Sequence, residues 1–101
     1  MAIKVQNRNT FLKKSIGLLK NKTIIPIYFK TRFGIHTFGM KQDMDVLILN
    51  SECIVVSQKL FLKPNRIFLW NPFYSSVVEL HGGFIKKHNL KIGDRVKLAL
   101  V

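Results

Sequence analysis

The feature that most limits what this chain can become is the run Met44-Asp45-Val46-Leu47-Ile48-Leu49. In an extended strand successive side chains alternate between faces, so Met44, Val46 and Ile48 point one way and Leu47 and Leu49 the other. A strand that is apolar on both faces must be covered on both sides, which places it at the centre of a fold rather than at an edge. Asp45 lies inside that run. Its charge is costly to bury without hydrogen-bond donors, and His36 and Thr37, just across the Gly39-Met40 turn, are the nearest candidates in the sequence.

The rest of the chain is a series of short apolar runs separated by turn residues. Residues 1 to 8 read as a polar, frayed lead-in, although Ile3 and Val5 alternate and would suit a short edge strand. Asn9-Thr10 supply a helix N-cap ahead of residues 11 to 20. Leu12, Ile16 and Leu19 share one helical face there, and Lys13, Lys14 and Lys20 lie largely off it, which describes an amphipathic helix that must dock. Ile24 to Phe29 has strand composition, with Pro26 demanding an edge position or a bulge. Two strands follow, at about 35–38 and 44–49, joined through Gly39. Asn50-Ser51-Glu52 then forms a tight connection to Cys53–Leu60, so these runs should pair as an antiparallel hairpin.

Beyond it, Ile67–Trp70 and Ser76–Leu80 read as short strands, with Asn71-Pro72 breaking the first. His81-Gly82-Gly83 implies unusual backbone angles or a close approach, and Phe84–Asn89 a short helical turn. Arg95–Val101 alternates, with Val96, Leu98 and Leu100 inward and Arg95 and Lys97 outward. Many short strands with one N-terminal helix predict a mainly β fold, a small barrel or sandwich of mostly antiparallel strands forming one domain over 1–101.

Three segments also resemble domain-of-unknown-function family 192, a group of small bacterial and archaeal proteins without an established activity. They are Ile35-His36-Thr37-Phe38-Gly39-Met40 with Met44-Asp45-Val46, then Leu62-Lys63-Pro64-Asn65-Arg66-Ile67, and then Val77–Val96 with its Glu79-Leu80 and Gly93-Asp94. Gly17-Leu18-Leu19 resembles the start of that domain, so the resemblance covers about residues 15 to 101. It implies a small β-barrel and no particular ligand. The chain departs from the pattern at Arg32, where some relatives carry Cys, at His81-Gly82, where Pro-Ala is common, and at the 50–52 turn, which lacks Asp-Gly.

Composition enters where partners are concerned. Seventeen Lys and Arg against five Asp and Glu give a net charge of +12. The excess is uneven: all nine basic residues up to Lys41 occur without an acid, and the remaining residues are nearly balanced. Such a potential favours phosphate-bearing or otherwise anionic partners, or serves solubility. The single cysteine, Cys53, forms no internal disulfide, no apolar run approaches the roughly 20 residues of a membrane-spanning helix, and the start lacks a secretory signal. A cytoplasmic location is therefore expected.

Two groupings could carry function. His36, Thr37, Met40 and Asp45, with Glu79 from a later strand, could line a small polar ligand pocket, or could form a buried network in which the carboxylates accept backbone N–H groups that pin loops. Lys13, Lys14, Lys20, Arg32, Lys41 and Arg66, with Trp70 among Phe68, Phe73 and Tyr74, could contact an anionic polymer or stack bases, unless those rings close one end of the barrel as core. His36, His81 and His88 match no zinc spacing, no nucleophile elbow or phosphate loop occurs, and no cofactor is implied. The expectation is a non-catalytic binding or adaptor module for another protein or an anionic polymer. The alternatives are a nucleic-acid-binding protein and, further off, a small-ligand enzyme at His36 and Asp45.

Overall fold

The computed structural model describes residues 1–7 and 26–100. The expected helix over 11–20, its Asn9-Thr10 cap, and Lys13, Lys14 and Lys20 lie outside the described residues. Among the described residues eight strands and one helix follow in order: β1 (Ala2–Asn7), β2 (Ile27–Lys30), β3 (Gly34–His36), β4 (Met44–Leu49), β5 (Val55–Leu62), β6 (Ile67–Leu69), β7 (Ser76–His81), α1 (Phe84–Lys87) and β8 (Lys97–Leu100). Six strands form one sheet in the order β5-β4-β7-β2-β1-β8, and β3 and β6 pair separately. The fold is mainly β, as expected from the spacing of the apolar runs.

The doubly apolar run behaves as its composition requires. β4 is buried along its whole length and lies between β5 and β7, antiparallel to both. Its two faces feed two separate cores. Leu47 and Leu49 join Ile3, Val5, Val78, Leu80 and the α1 residues Phe84 and Ile85. Met44, Val46 and Ile48 join Ile27, Phe29, Leu62 and Val77, over which Ile35, Met40, Phe68, Trp70 and Tyr74 pack from the small sheet and its loops. Burial of such side chains contributes roughly 1.5–3 kcal/mol each, so these two clusters carry most of the favourable energy.

The large sheet curls toward closure without completing it. The outermost strands, β5 and β8, meet only at their beginnings. Ile54 bridges Arg95 there, the Val55 amide donates to Asp94 O at 2.8 Å, and the Val96 amide donates to Cys53 O at 2.9 Å. The expected β4–β5 hairpin is present, and the missing Asp-Gly is replaced by other means. Asn50 Oδ1 accepts the amides of Glu52 (2.9 Å) and Ile54 (3.0 Å), and Cys53 itself adopts a left-handed φ of 61°.

Three sequence expectations are corrected. Residues 1 to 7 are neither frayed nor the outermost strand: β1 pairs in parallel with β8 through Ala2–Val5 and with β2 through Gln6 and Asn7, and Ile3 and Val5 are buried. The strand is ordered because β8 pairs with its first part and β2 with its end. β2 is likewise internal. Pro26 imposes no edge because it precedes the strand, and its carbonyl accepts the Gln6 amide at 2.9 Å. Leu100 is 66% exposed rather than inward, since it ends the outermost strand of the sheet.

The paired glycines divide the two expected roles between them. Gly83 takes a φ of 96° to start α1, whereas a Cβ on Gly82 would lie 3.1 Å from the Asp43 carbonyl.

Candidate functional site

The five residues expected to share a pocket are distributed over three places. Asp45 is wholly buried and points toward α1. Its Oδ1 accepts the Phe61 amide at 2.9 Å and its Oδ2 the Ile85 amide at 2.8 Å. Its donors are backbone groups of β5 and α1, not His36 and Thr37 as the sequence suggested. Hydrogen bonds of this charge-assisted kind are the condition for keeping a carboxylate inside.

Thr37 is the second wholly buried polar residue. Its hydroxyl donates to Lys63 O at 2.6 Å and accepts the Arg66 amide at 2.9 Å. Its backbone adds an amide bond to Arg66 O and accepts from Asn65 and Met40. Thr37 thus fastens the 63–66 loop to the end of β3, and Met40 packs beneath as part of the core.

His36 and Glu79 are the two members brought together. They line one pocket of about 190 Å³ with Phe29, Thr31, Gly34 and Ile35. Glu79 stands on β7 between Ile27 and Val46 of the neighbouring strands. His36 is exposed, stacks on Phe38 with ring centroids 4.8 Å apart, and accepts the Phe38 amide at Nδ1 over 3.3 Å. Among the described residues no three His, Cys, Asp or Glu side chains are gathered as a metal site would require.

The basic and aromatic positions separate in the same way. Trp70 is half-buried, and its indole N–H donates to Tyr74 O at 2.8 Å. Phe68, Trp70 and Tyr74 all pack on the second core, so the expected aromatic tip is mostly core, and Phe73 alone of that group stands fully out. Arg32, Lys41 and Arg66 are exposed.

A different surface emerges around them. Gly34 pairs with Leu69 and His36 with Ile67 across β3 and β6. Since Ile35 and Phe68 face the core, these four positions face away from it. Ile67 is 62% exposed and Leu69 69%. The loops at the two ends of the pair add Phe33, Phe38 and Phe73, each more than half exposed. The Phe33 and Phe73 loops are held together by Arg32 Nη1, which donates to Pro72 O at 3.3 Å, and by the Thr31 amide, which donates to Ser75 O. The sequence contained a sign of this face. Ile67-Phe68-Leu69 is apolar on both sides, as β4 is, but three residues form only an outlying strand.

A rolled, incompletely closed β sheet capped by a two-stranded ribbon defines a small mainly β protein class whose architecture occurs elsewhere. A crystal structure of a protein of unknown function from Novosphingobium aromaticivorans superposes with a TM-score of 0.63 at 12% identity, over 93% of this chain and 71% of that one. That likeness establishes the fold. Family membership comes from sequence: a UPF0127 protein of Pyrococcus abyssi is 34% identical over 93% of this chain and 85% of its own length. A UPF0127 protein of Pyrococcus furiosus is 28% identical over 94% and 86%. The chain belongs to the UPF0127 family. No family model matches it, and no helix among the described residues is long and apolar enough to cross a membrane.

Proposed function

We propose that this protein is a non-catalytic binding module that docks another macromolecule, most simply another protein, through the outward face of the β3–β6 ribbon. One observation carries the reading. Phe33, Phe38, Ile67, Leu69 and Phe73 are each more than half exposed, Ile67 and Leu69 on the ribbon itself and the three phenylalanines in the loops at its ends. Single exposed apolar residues are ordinary, but five on one ribbon and its flanking loops mark a contact surface. The absence of catalysis is part of the proposal and draws on Asp45, which is sealed from solvent and engaged by two amides, so that it cannot partner His36 in acid–base chemistry. A cytoplasmic location, and membership of domain-of-unknown-function family 192 on the 35–46, 62–67 and 77–96 segments, are proposed alongside.

The test compares tagged wild-type protein with an Ile67→Ser/Leu69→Ser variant as bait, followed by reconstitution with each captured partner in purified form. Both residues are exposed, so the variant should keep its fold. A polypeptide that binds wild type as a purified pair and loses at least tenfold in affinity with the variant supports the reading. Equal binding by the two would refute it.

A second reading, nucleic-acid binding, is favoured by the exposed phenylalanines beside Arg32 and Arg66, since rings and guanidinium groups together can stack bases. Titration with single-stranded DNA separates the two. Phosphate-driven affinity falls steeply between about 50 and 200 mM salt, and no binding at the lower salt would eliminate it.

A further inference from the structure

We infer that the occupant of the β3–β6 face is an acidic amphipathic polypeptide segment, with apolar side chains at its centre and carboxylates toward both ends. This rests on the binding face proposed above and adds the chemistry of what fills it.

Charge around the face is of one sign. The segments that build the face, residues 31–42 and 63–75, contain no Asp or Glu, yet they carry Arg32, Lys41, Lys63 and Arg66. Lys63 is paired with Asp43 at 3.3 Å. The two arginines stand at opposite ends of the apolar stripe. Arg32 lies beside Phe33 and Phe73 and is tethered to Pro72 O. Arg66 lies next to Ile67 and is tethered to Pro64 O and Asn65 O at 3.5 and 3.3 Å. Each guanidinium carries five N–H donors, so these long, exposed contacts leave most of them for a carboxylate, which the planar fork can engage bidentately.

Dimensions narrow the occupant further. β3 is three residues long, roughly 10 Å of extended chain, so with the turns at its two ends the stripe is spanned by roughly two to three turns of helix. The exposed apolar area is on the order of 500 Å², about the apolar share of the roughly 800 Å² per partner in a standard interface; the narrow stripe with a cation at each end suits an elongated segment. A second copy of this chain is disfavoured, because two molecules of net charge +12 repel. A bilayer is the less favoured anionic partner, because the cations lie at the two ends of a narrow stripe and do not encircle a protruding tip.

The experiment uses the full chain labelled with ¹⁵N. The probe is a capped helical peptide of about 14 residues, with leucines at i, i+4 and i+7 and a glutamate pair at each end. Its twin carries lysine pairs instead, and vesicles of three parts phosphatidylcholine to one part phosphatidylglycerol provide the third arm. The glutamate peptide is expected to shift the amides of Phe33, Phe38, Ile67, Leu69 and Phe73 saturably and to bind at least tenfold more tightly than the lysine peptide. Arg32→Gln/Arg66→Gln should reduce that preference to threefold or less with the fold unchanged. Equal affinity for both peptides, or shifts elsewhere on the protein, overturns the inference. So does vesicle binding through this face with the glutamate peptide silent. If the peptide fails while Ile67→Ser/Leu69→Ser still abolishes a reconstituted partner complex, the face stands and its acidic occupant falls. If both fail, both proposals fall.

Discussion

Asp45 occupies the position where a charge is most expensive, and it stays there because two amides from distant parts of the chain converge on it. The donors, Phe61 and Ile85, are 16 and 40 residues away in sequence. This separation explains why residue-level reading stopped short. The need for donors was legible from Asp45 among apolar neighbours, but proximity in sequence pointed to His36 and Thr37, and nothing local reveals which strand lies alongside. Asp45→Asn tests the arrangement. The amide keeps one acceptor oxygen and turns an NH₂ toward the other backbone N–H, so a buried donor loses its partner. Stability should fall by about 1–3 kcal/mol, read as a lower urea midpoint at constant slope. A loss below about half a kcal/mol would show that water or rearranged backbone satisfies the amide instead.

At the scale of elements, the legible parts were those in which one strand's own pattern decided its position. β4 and its hairpin with β5 followed from alternation and turn chemistry. β1 did not, because two alternating apolar residues in a polar stretch suit an edge strand as well as an internal one, and the choice depends on β8 at the other end of the sequence. The β3–β6 ribbon was half legible: its strands could be seen, but its outward apolar face could not. Gly34 makes that ribbon close enough to pack. A Cβ there would lie 2.6 Å from both Leu69 Cδ2 and the Phe68 carbonyl oxygen, and the carbonyl, as backbone, cannot move aside cheaply. Gly34→Ala should therefore destabilise the protein by about 1–3 kcal/mol and displace Leu69 from the docking face. A thermal melt gives the first quantity, and a changed Leu69 methyl resonance gives the second. An unchanged melting temperature would mean that the ribbon contributes little to holding the fold.

Across the whole molecule the dominant quantity is the +12 charge. The two exchanges among described residues that count as ion pairs, Lys63 with Asp43 and Arg95 with Glu52, are both solvent-exposed, and exposed pairs of this kind contribute little. Most of the positive charge is left to repel itself. Raising sodium chloride from about 20 to about 300 mM shortens the screening length severalfold. Relief of roughly 0.5–1 kcal/mol would raise the melting temperature by about 2–8 °C. A melting temperature that is flat or falls with salt would indicate that the charges are already neutralised in pairs.

The parallel seam between β1 and β8 has a consequence for how the protein is made. A ribosome releases Ile3 and Val5 early, yet the strand that completes their hydrogen bonding leaves the exit tunnel only after nearly all of the described chain. Until then two greasy side chains wait without their final neighbour, and the nascent polypeptide must be shielded or collapse provisionally. Synthesis order and assembly order therefore run against each other along this stretch, and β8 locks the much earlier β1.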